Sequence, residues 1–341
     1  MDFDLSDDQR ALKDGIAALL DGVLPLEATR SAEHRADVVD PAAWAALAEA
    51  GVFSLLVPES DGGVGFGLAE GTVVFEELGR VLAPGPLVAT TALAPVLPAA
   101  AEGIAHAVID APGRSAAPPL LEHPATCAAV VVLPRIEQVA EEAVLVPVGD
   151  LSATPVERSL DPLTPLASLA TPLPVGTPLE GIDTAALRQR IMVLAAATQV
   201  GIAGEVVAIA TEYAKGREQF GRPIGGFQAI KHLLADALAR TELARAAVQS
   251  AAVILDDPLV AEREADTLSL STVQLRWRAV AGAKLLADDA AITNARTAIQ
   301  VHGGMGFTWE VPVHLYLKRS RVLASSFGTR SELADLLAAL A

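Results

Sequence analysis

Proline placement constrains this 341-residue chain more than any other feature. Seven of its 22 prolines precede residue 109, twelve fall between 109 and 178, and three (Pro223, Pro258 and Pro312) come later. Proline lacks an amide hydrogen and breaks helix interiors and central strands. Residues 109–178 are therefore expected to form short strands and turns, and the remainder long helices. In that remainder Ile191, Leu194, Ala195, Thr198, Ile202, Val206 and Ile209 make one stripe at helical spacing, and 227–254 and 259–300 predict two more long helices. Ala195, Ala196, Ala197, Gly201 and Gly204 are small enough for close helix approach, which points to an up-down bundle.

The first third also reads as helical. Leu12, Ile16, Leu19 and Leu20 share a helical face, Trp44, Leu47 and Val52 predict a second helix, and 72–82 a third carrying Val73, Val74, Leu78 and Leu82. Pro58 to Gly63 is a turn. In the proline-rich middle, apolar runs at 128–133 and 143–148 predict strands of a small antiparallel sheet, with Pro172, Pro174 and Pro178 in a connector. The expected fold is mainly α with a small β-domain. It comprises an N-terminal helical domain (1–108), a reduced middle antiparallel β-domain (109–178) and a C-terminal up-down four-helix bundle (179–341).

Several function classes are disfavoured by composition. A net charge of −17, from 42 acidic and 25 basic residues, repels nucleic acid and anionic lipid. No run of eighteen apolar residues occurs, so no membrane span is expected. The acidic start has no basic segment leading into an apolar one, which argues against a secretory signal and for a cytoplasmic location. Cys127 is the single cysteine, so no intramolecular disulfide forms. Histidines 34, 106, 123, 232, 302 and 314 show no metal-ligand spacing, and no metal site is expected. No Gly-x-Ser-x-Gly elbow is present. The glycine-rich stretch from Gly62 to Gly67 follows a helix rather than a strand, which excludes a dinucleotide fingerprint.

Two segments carry chemistry. The first runs Gly216-Arg217-Glu218-Gln219-Phe220-Gly221-Arg222-Pro223-Ile224 and continues into Phe227-Gln228. An arginine fork suits a pyrophosphate and a phenylalanine packs on rings, although Arg217 alone also reads as a cation at a helix C-terminus. The second is Gln300-Val301-His302-Gly303-Gly304-Met305-Gly306. Its adjacent glycines permit close backbone approach to a ligand, and taken alone they also read as a helix end and turn.

Together these segments resemble the C-terminal flavin signature of the acyl-CoA dehydrogenase family. The resemblance extends to Asp2-Phe3 through Arg10, Trp44 through Gly51, Val57-Pro58-Glu59, Gly62-Gly63 and Glu76-Glu77-Leu78-Gly79-Arg80, and so spans nearly the whole chain. It implies FAD-dependent α,β-desaturation of an acyl-CoA. It also implies that Arg217, Gln219, Phe220, Gln228, Gln300, Gly303 and Gly304 contact FAD, and that they do so across a subunit interface. Electron-transfer flavoprotein is the acceptor the resemblance implies.

The departures from the family are equally specific. Where a glutamate base usually precedes Gly-Thr, this chain reads Ser326-Phe327-Gly328-Thr329, so no catalytic residue is expected. The alternative family base position falls near Ile191 and Met192, and neither accepts a proton. The middle domain is short and lacks the segments that cover the flavin within one subunit. The pattern resembles the shorter, base-lacking subunit of actinobacterial α2β2 dehydrogenases acting on steroid-CoA side chains. It leads to the expectation of a homologous full-length partner that supplies the base. A catalytically inactive scaffold or acyl-CoA-binding protein is one alternative, and a self-sufficient homomer with a relocated base is another.

Overall fold

The computed structural model describes residues 4–31, 38–112, 118–135 and 142–340; Asp2, Phe3 and His34 lie outside them. The first third holds helices α1 (Asp7–Val23), α2 (Leu26–Ser31), α3 (Pro41–Glu49), α4 (Leu68–Arg80), α5 (Leu87–Leu93) and α6 (Pro98–Ala101). Seven short strands follow: β1 (His106–Asp110), β2 (Leu120–Glu122), β3 (Ala129–Leu133), β4 (Val144–Pro147), β5 (Ala153–Pro155), β6 (Leu166–Leu169) and β7 (Thr177–Pro178). The last part contains α7 (Thr184–Gly216), a two-strand ribbon of β8 (Glu218–Gln219) and β9 (Arg222–Pro223), then α8 (Gln228–Asp256), α9 (Pro258–Leu268), α10 (Thr272–His302), α11 (Val313–Ser325) and α12 (Arg330–Ala339).

These elements cluster into two compact units. One joins the chain up to Asp21, Leu68–Ala83 and everything from Met192 onward; the other comprises Gly22–Gly67 and Pro84–Ile191. In the second unit the strands form two sheets, ordered β1-β3-β4-β7 and β2-β6-β5. The larger sheet is mixed rather than antiparallel, because β1 runs parallel to β3 while β4 and β7 are antiparallel additions. Every residue of β3 is buried, the mark of a central strand covered on both faces, which explains its unbroken Ala-Val-Val-Val-Leu run. Pro178, expected in a connector, instead pairs with Val144 as part of β7; a proline is tolerated there because β7 is an edge. Both sheets contribute to one core, in which Val130, Val132 and Val146 meet Leu121 and Leu169. In the same unit the Trp44 indole donates to Gly103 O at 2.7 Å, and its ring lies 4.5 Å from that of Phe53. Val52, expected within the second helix, lies beyond the end of α3.

The bundle belongs to the first unit. By length and composition α7 would suit a membrane crossing, with mean hydropathy 1.8, yet 78% of that window is buried and it serves as a core helix. Two glycines set how closely α7 and α4 cross. A Cβ on Gly201 would lie 1.9 Å from Glu76 O, and one on Gly79 would lie 2.1 Å from Thr198 O, so the two backbones touch. The third predicted helix starts earlier than expected, at Leu68, because Asp256 caps it from 188 residues away. The Asp256 carboxylate accepts from Leu68 N at 3.0 Å and Ala69 N at 2.9 Å. The expected single helix over 259–300 is two helices. Ser269 turns left-handed at φ 55°, and Ser271 with Gln274 forms a capping box that starts α10.

Polar groups inside the bundle form a network, although the buried Gln199 Oε1 has no hydrogen-bond partner among the described residues. Lys284, fully buried on α10, donates to Asp288 Oδ2 at 2.6 Å and to Leu323 O at 3.0 Å. Gln199 on α7 donates to Asp288 Oδ1 and to Ser320 O, both at 2.9 Å. Burial pushes the Lys284 ammonium down and the Asp288 carboxyl up, and each shift is opposed by the other partner's charge. Nearby, Arg80 pairs with Glu77 at 2.5 Å and Asp21 at 2.9 Å. Burial holds the neighbouring Glu205 carboxyl above its ordinary value, opposed by Arg80 and reinforced by Glu77 and Asp21.

Two predictions follow from these groups. Lys284→Met leaves Asp288 buried without its cation and is expected to cost about 3–5 kcal/mol. Adding Asp288→Leu is expected to recover most of that loss, and equal urea midpoints for the single and double variants would contradict it. For Glu205, the unfolded chain releases its proton at a lower pH than the folded chain. Stability therefore falls as pH rises from the unfolded pKa to the folded one. Glu205→Gln should match the parent near about pH 4 and exceed it in melting temperature by a margin that grows toward neutral pH and then levels off.

Candidate functional site

The ends of α7 and α10 meet. Tyr213, in the last turns of α7, stacks on the His302 ring with centroids 4.1 Å apart, and its hydroxyl donates to Met305 Sδ at 3.7 Å. His302 is fixed in turn by Ala298 O, 2.7 Å from its Nδ1. This contact brings the two sequence segments, eighty residues apart, to one end of the bundle. Asn294 adds a second tie, donating to Ala237 O and Thr241 Oγ1 on α8, both at 2.9 Å, and accepting from Arg240 Nε at 3.0 Å.

The first segment is a hairpin. Gln219 pairs with Arg222 and Glu218 with Pro223, leaving Phe220 and Gly221 as a two-residue loop with φ of 53° and 76°. Two positive φ values describe a type I′ turn, which favours asparagine and glycine; a phenylalanine there is uncommon and strained. Phe220 is 92% exposed. Arg217, the first residue beyond α7, is exposed and its side chain makes no hydrogen bond or ion pair among the described residues, although acidic residues outnumber basic ones. The Gln219 amide donates to Glu218 O at 2.8 Å, and Gln228 opens α8 with its amide 3.4 Å from His232 Nε2.

The second segment ends α10 with Gln300 exposed and Gly303 in a left-handed turn at φ 61°. Gly303 needs glycine for its own backbone, and Gly306 needs it because a Cβ would lie 2.6 Å from Ile299 O. Gly304 needs it for neither reason: a Cβ there meets nothing within 4 Å, and the residue is exposed. All seven residues singled out from the sequence are thus exposed, at one end of one bundle. Sequence reasoning assigned no role to Tyr213, His302 or Asn294, which hold that end together. Nothing at i, i+3 or i+4 signals a contact that crosses 89 residues.

The position at which the resemblance leads one to expect a base differs in kind from this exposed end. Phe327 is half-buried between α11 and α12, with φ 60° followed by Gly328 at φ 110°. The nearby Glu332 carboxylate is committed to capping α12, accepting from Thr329 N and Oγ1, both at 2.8 Å. Glu310 is exposed, and Ile191 and Met192 are each 1% exposed. Among the described residues no group of three or more His, Cys, Asp or Glu is arranged to hold a metal. Burial pushes the Cys127 thiol up to about 12, which makes it a poor nucleophile.

Comparison with known proteins agrees over both ends of the chain. Residues 182–340 match the acyl-CoA dehydrogenase C-terminal domain, and residues 6–103 match the N-terminal domain. Acyl-CoA dehydrogenase IpdE2 of Mycobacterium tuberculosis is 35% identical over 325 residues, covering 92% of this chain and 91% of its own. Among solved structures, the ChsE4-ChsE5 complex of Mycobacterium tuberculosis superposes with a TM-score of 0.80 at 24% identity, covering 99% of this chain and 98% of that one. A variant of the Tcur3481-Tcur3483 steroid ACAD gives 0.76 at 23% identity, covering 98% and 97%. With helical N- and C-terminal parts, small sheets in the middle of the sequence and a relative matched along nearly its whole length, the chain belongs to the acyl-CoA dehydrogenase family.

Proposed function

We propose that this chain is the complementary subunit of an FAD-dependent acyl-CoA dehydrogenase and completes the flavin site of a homologous, base-carrying partner. The observation that carries this reading is a contrast within one bundle. One end exposes an unpartnered arginine, an outward phenylalanine and an open glycine pair, while the turn that should hold the base presents Phe327. These residues fit the cofactor. The Arg217 fork is free to take a pyrophosphate by charge-assisted hydrogen bonds. Gly304 offers a backbone that nothing in its own chain obstructs. Phe220 and the amides of Gln219, Gln228 and Gln300 supply a ring face and donors around them.

When bound, FAD supplies the hydride acceptor for α,β-desaturation of an acyl-CoA thioester. The α-proton must leave to a base, and losing a positioned base forfeits about 10²–10⁴-fold in rate. In this reading that base comes from the partner, and this chain binds and orients. A bulky steroid side-chain CoA is the proposed substrate, supported by the similarity to a steroid enzyme built from two different chains. Electron-transfer flavoprotein is the proposed acceptor.

The test is the visible spectrum and mass of the chain purified alone and with a homologous partner. Flavin absorbance confined to the co-purified complex, at about one FAD per pair of chains, is the expected result; stoichiometric flavin on a homomer of this chain would overturn the reading. Arg217→Ala and Gln300→Ala are expected to lower FAD occupancy of the complex without lowering the chain's own melting temperature. Gly304→Ala should behave the same way. Gly306→Ala should instead destabilise the chain itself by about 1–3 kcal/mol, since its Cβ meets backbone.

A further inference from the structure

The hairpin tip contains a device that the site residues do not explain. Phe220 holds a left-handed conformation, at φ 53°, that its side chain disfavours, and it is 92% exposed, so no core packing holds it there. What touches it is Phe227, edge-on, with centroids 6.1 Å apart at 85°. Phe227, at the start of α8, is covered on its face by the Arg222 guanidinium, 4.1 Å from the ring centroid. Arg222 is itself held by the ribbon, opposite Gln219, and Ile224 N donates to Arg217 O at 2.8 Å to close the base of the hairpin. Arg222 has no carboxylate partner among the described residues, in a chain with 42 acidic side chains.

We infer that Arg222 is a positioning residue for the flavin edge: through the Phe227 ring it fixes the outward pose of Phe220, and it is not itself a phosphate ligand. The cation sits over the face of the Phe227 ring, where the quadrupole attracts it, and that ring stands nearly perpendicular to Phe220 in a T-shaped pair. A three-member stack therefore replaces the core contact that an exposed aromatic lacks. Its purpose, resting on the reading of this end as a flavin site, is to present a preset ring rather than a mobile one, which lowers the ordering cost of binding.

Two measurements decide it. In the chain alone, labelled with fluorophenylalanine and assigned through Phe220→Leu, Arg222→Met and Phe227→Leu are each expected to move the Phe220 resonance toward its random-coil position. Arg222→Lys should keep it in place. An unmoved resonance in Arg222→Met would overturn the inference, with or without any flavin. In the co-purified complex, Arg222→Met should weaken FAD binding roughly two- to five-fold, equally at low and high salt, with Arg222→Lys close to the parent. A loss present at low salt and abolished at high salt would mark Arg222 as a phosphate ligand and overturn the positioning role. If the parent complex takes up no FAD, the flavin-site reading falls, and the fluorine result still decides the stack.

Discussion

A buried lysine organises the bundle. A charged Lys284 in an apolar interior needs an anion and further acceptors close to its ammonium, and the two groups that accept from it come from its own helix and from α11. Asp288 in turn draws in Gln199 from α7, and Gln199 reaches Ser320 O on α11. Three helices are thereby fixed in register by directional bonds rather than by apolar contact alone. That matters in a bundle lined largely with alanine, where small side chains allow close approach but specify registration poorly. The same network anchors the end of α11, since Leu323 O lies only four residues before Phe327.

The close crossing of α4 and α7 works by another route. Gly79 and Gly201 remove the Cβ atoms that would separate the two backbones, and the charges that flank the crossing then have to share a confined layer. Arg80 serves Glu77 and Asp21, Arg245 serves Glu76 with bonds of 2.8 and 3.1 Å, and Glu205 is left on the acidic side. Its raised carboxyl pKa follows from this geometry, because burial penalises the charge, and Arg80, which opposes the shift, already has two partners while Glu77 and Asp21 reinforce it.

Much of this is legible in the sequence, and most of what is not depends on partners distant along the chain. The proline-free stripe from Ile191 to Ile209 specified α7, and the apolar run at 128–133 specified β3, because both signals are local. The start of α4 is not legible locally, because its cap, Asp256, is supplied by the end of α8. Pro178 reads as a connector because pairing with Val144 is not visible in a proline-rich string. The split between α9 and α10 is different, since Ser271-x-x-Gln274 is a local start signal that strong helical periodicity on either side masks. The seven candidate residues came from the resemblance. What the structure adds is their common exposure and the Tyr213–His302 contact that joins their two segments.

Backbone strain marks two turns. Among the described residues five non-glycine residues have positive φ, and two of them are phenylalanines: Phe220 at the hairpin tip and Phe327 between α11 and α12. Such conformations persist where their surroundings enforce them. At Phe220 the enforcing group is visible, a cation and a ring stacked beneath an exposed side chain. At Phe327 the backbone bends, with Gly328 at φ 110° beside Leu333. This turn has a structural use, since it joins α11 to the capped start of α12. The Phe220 turn likewise lies between two helices, α7 and α8, but its side chain stands out in solvent where that of Phe327 is half-buried. This asymmetry is the physical ground for placing the proposed chemistry on a partner and the proposed binding edge here.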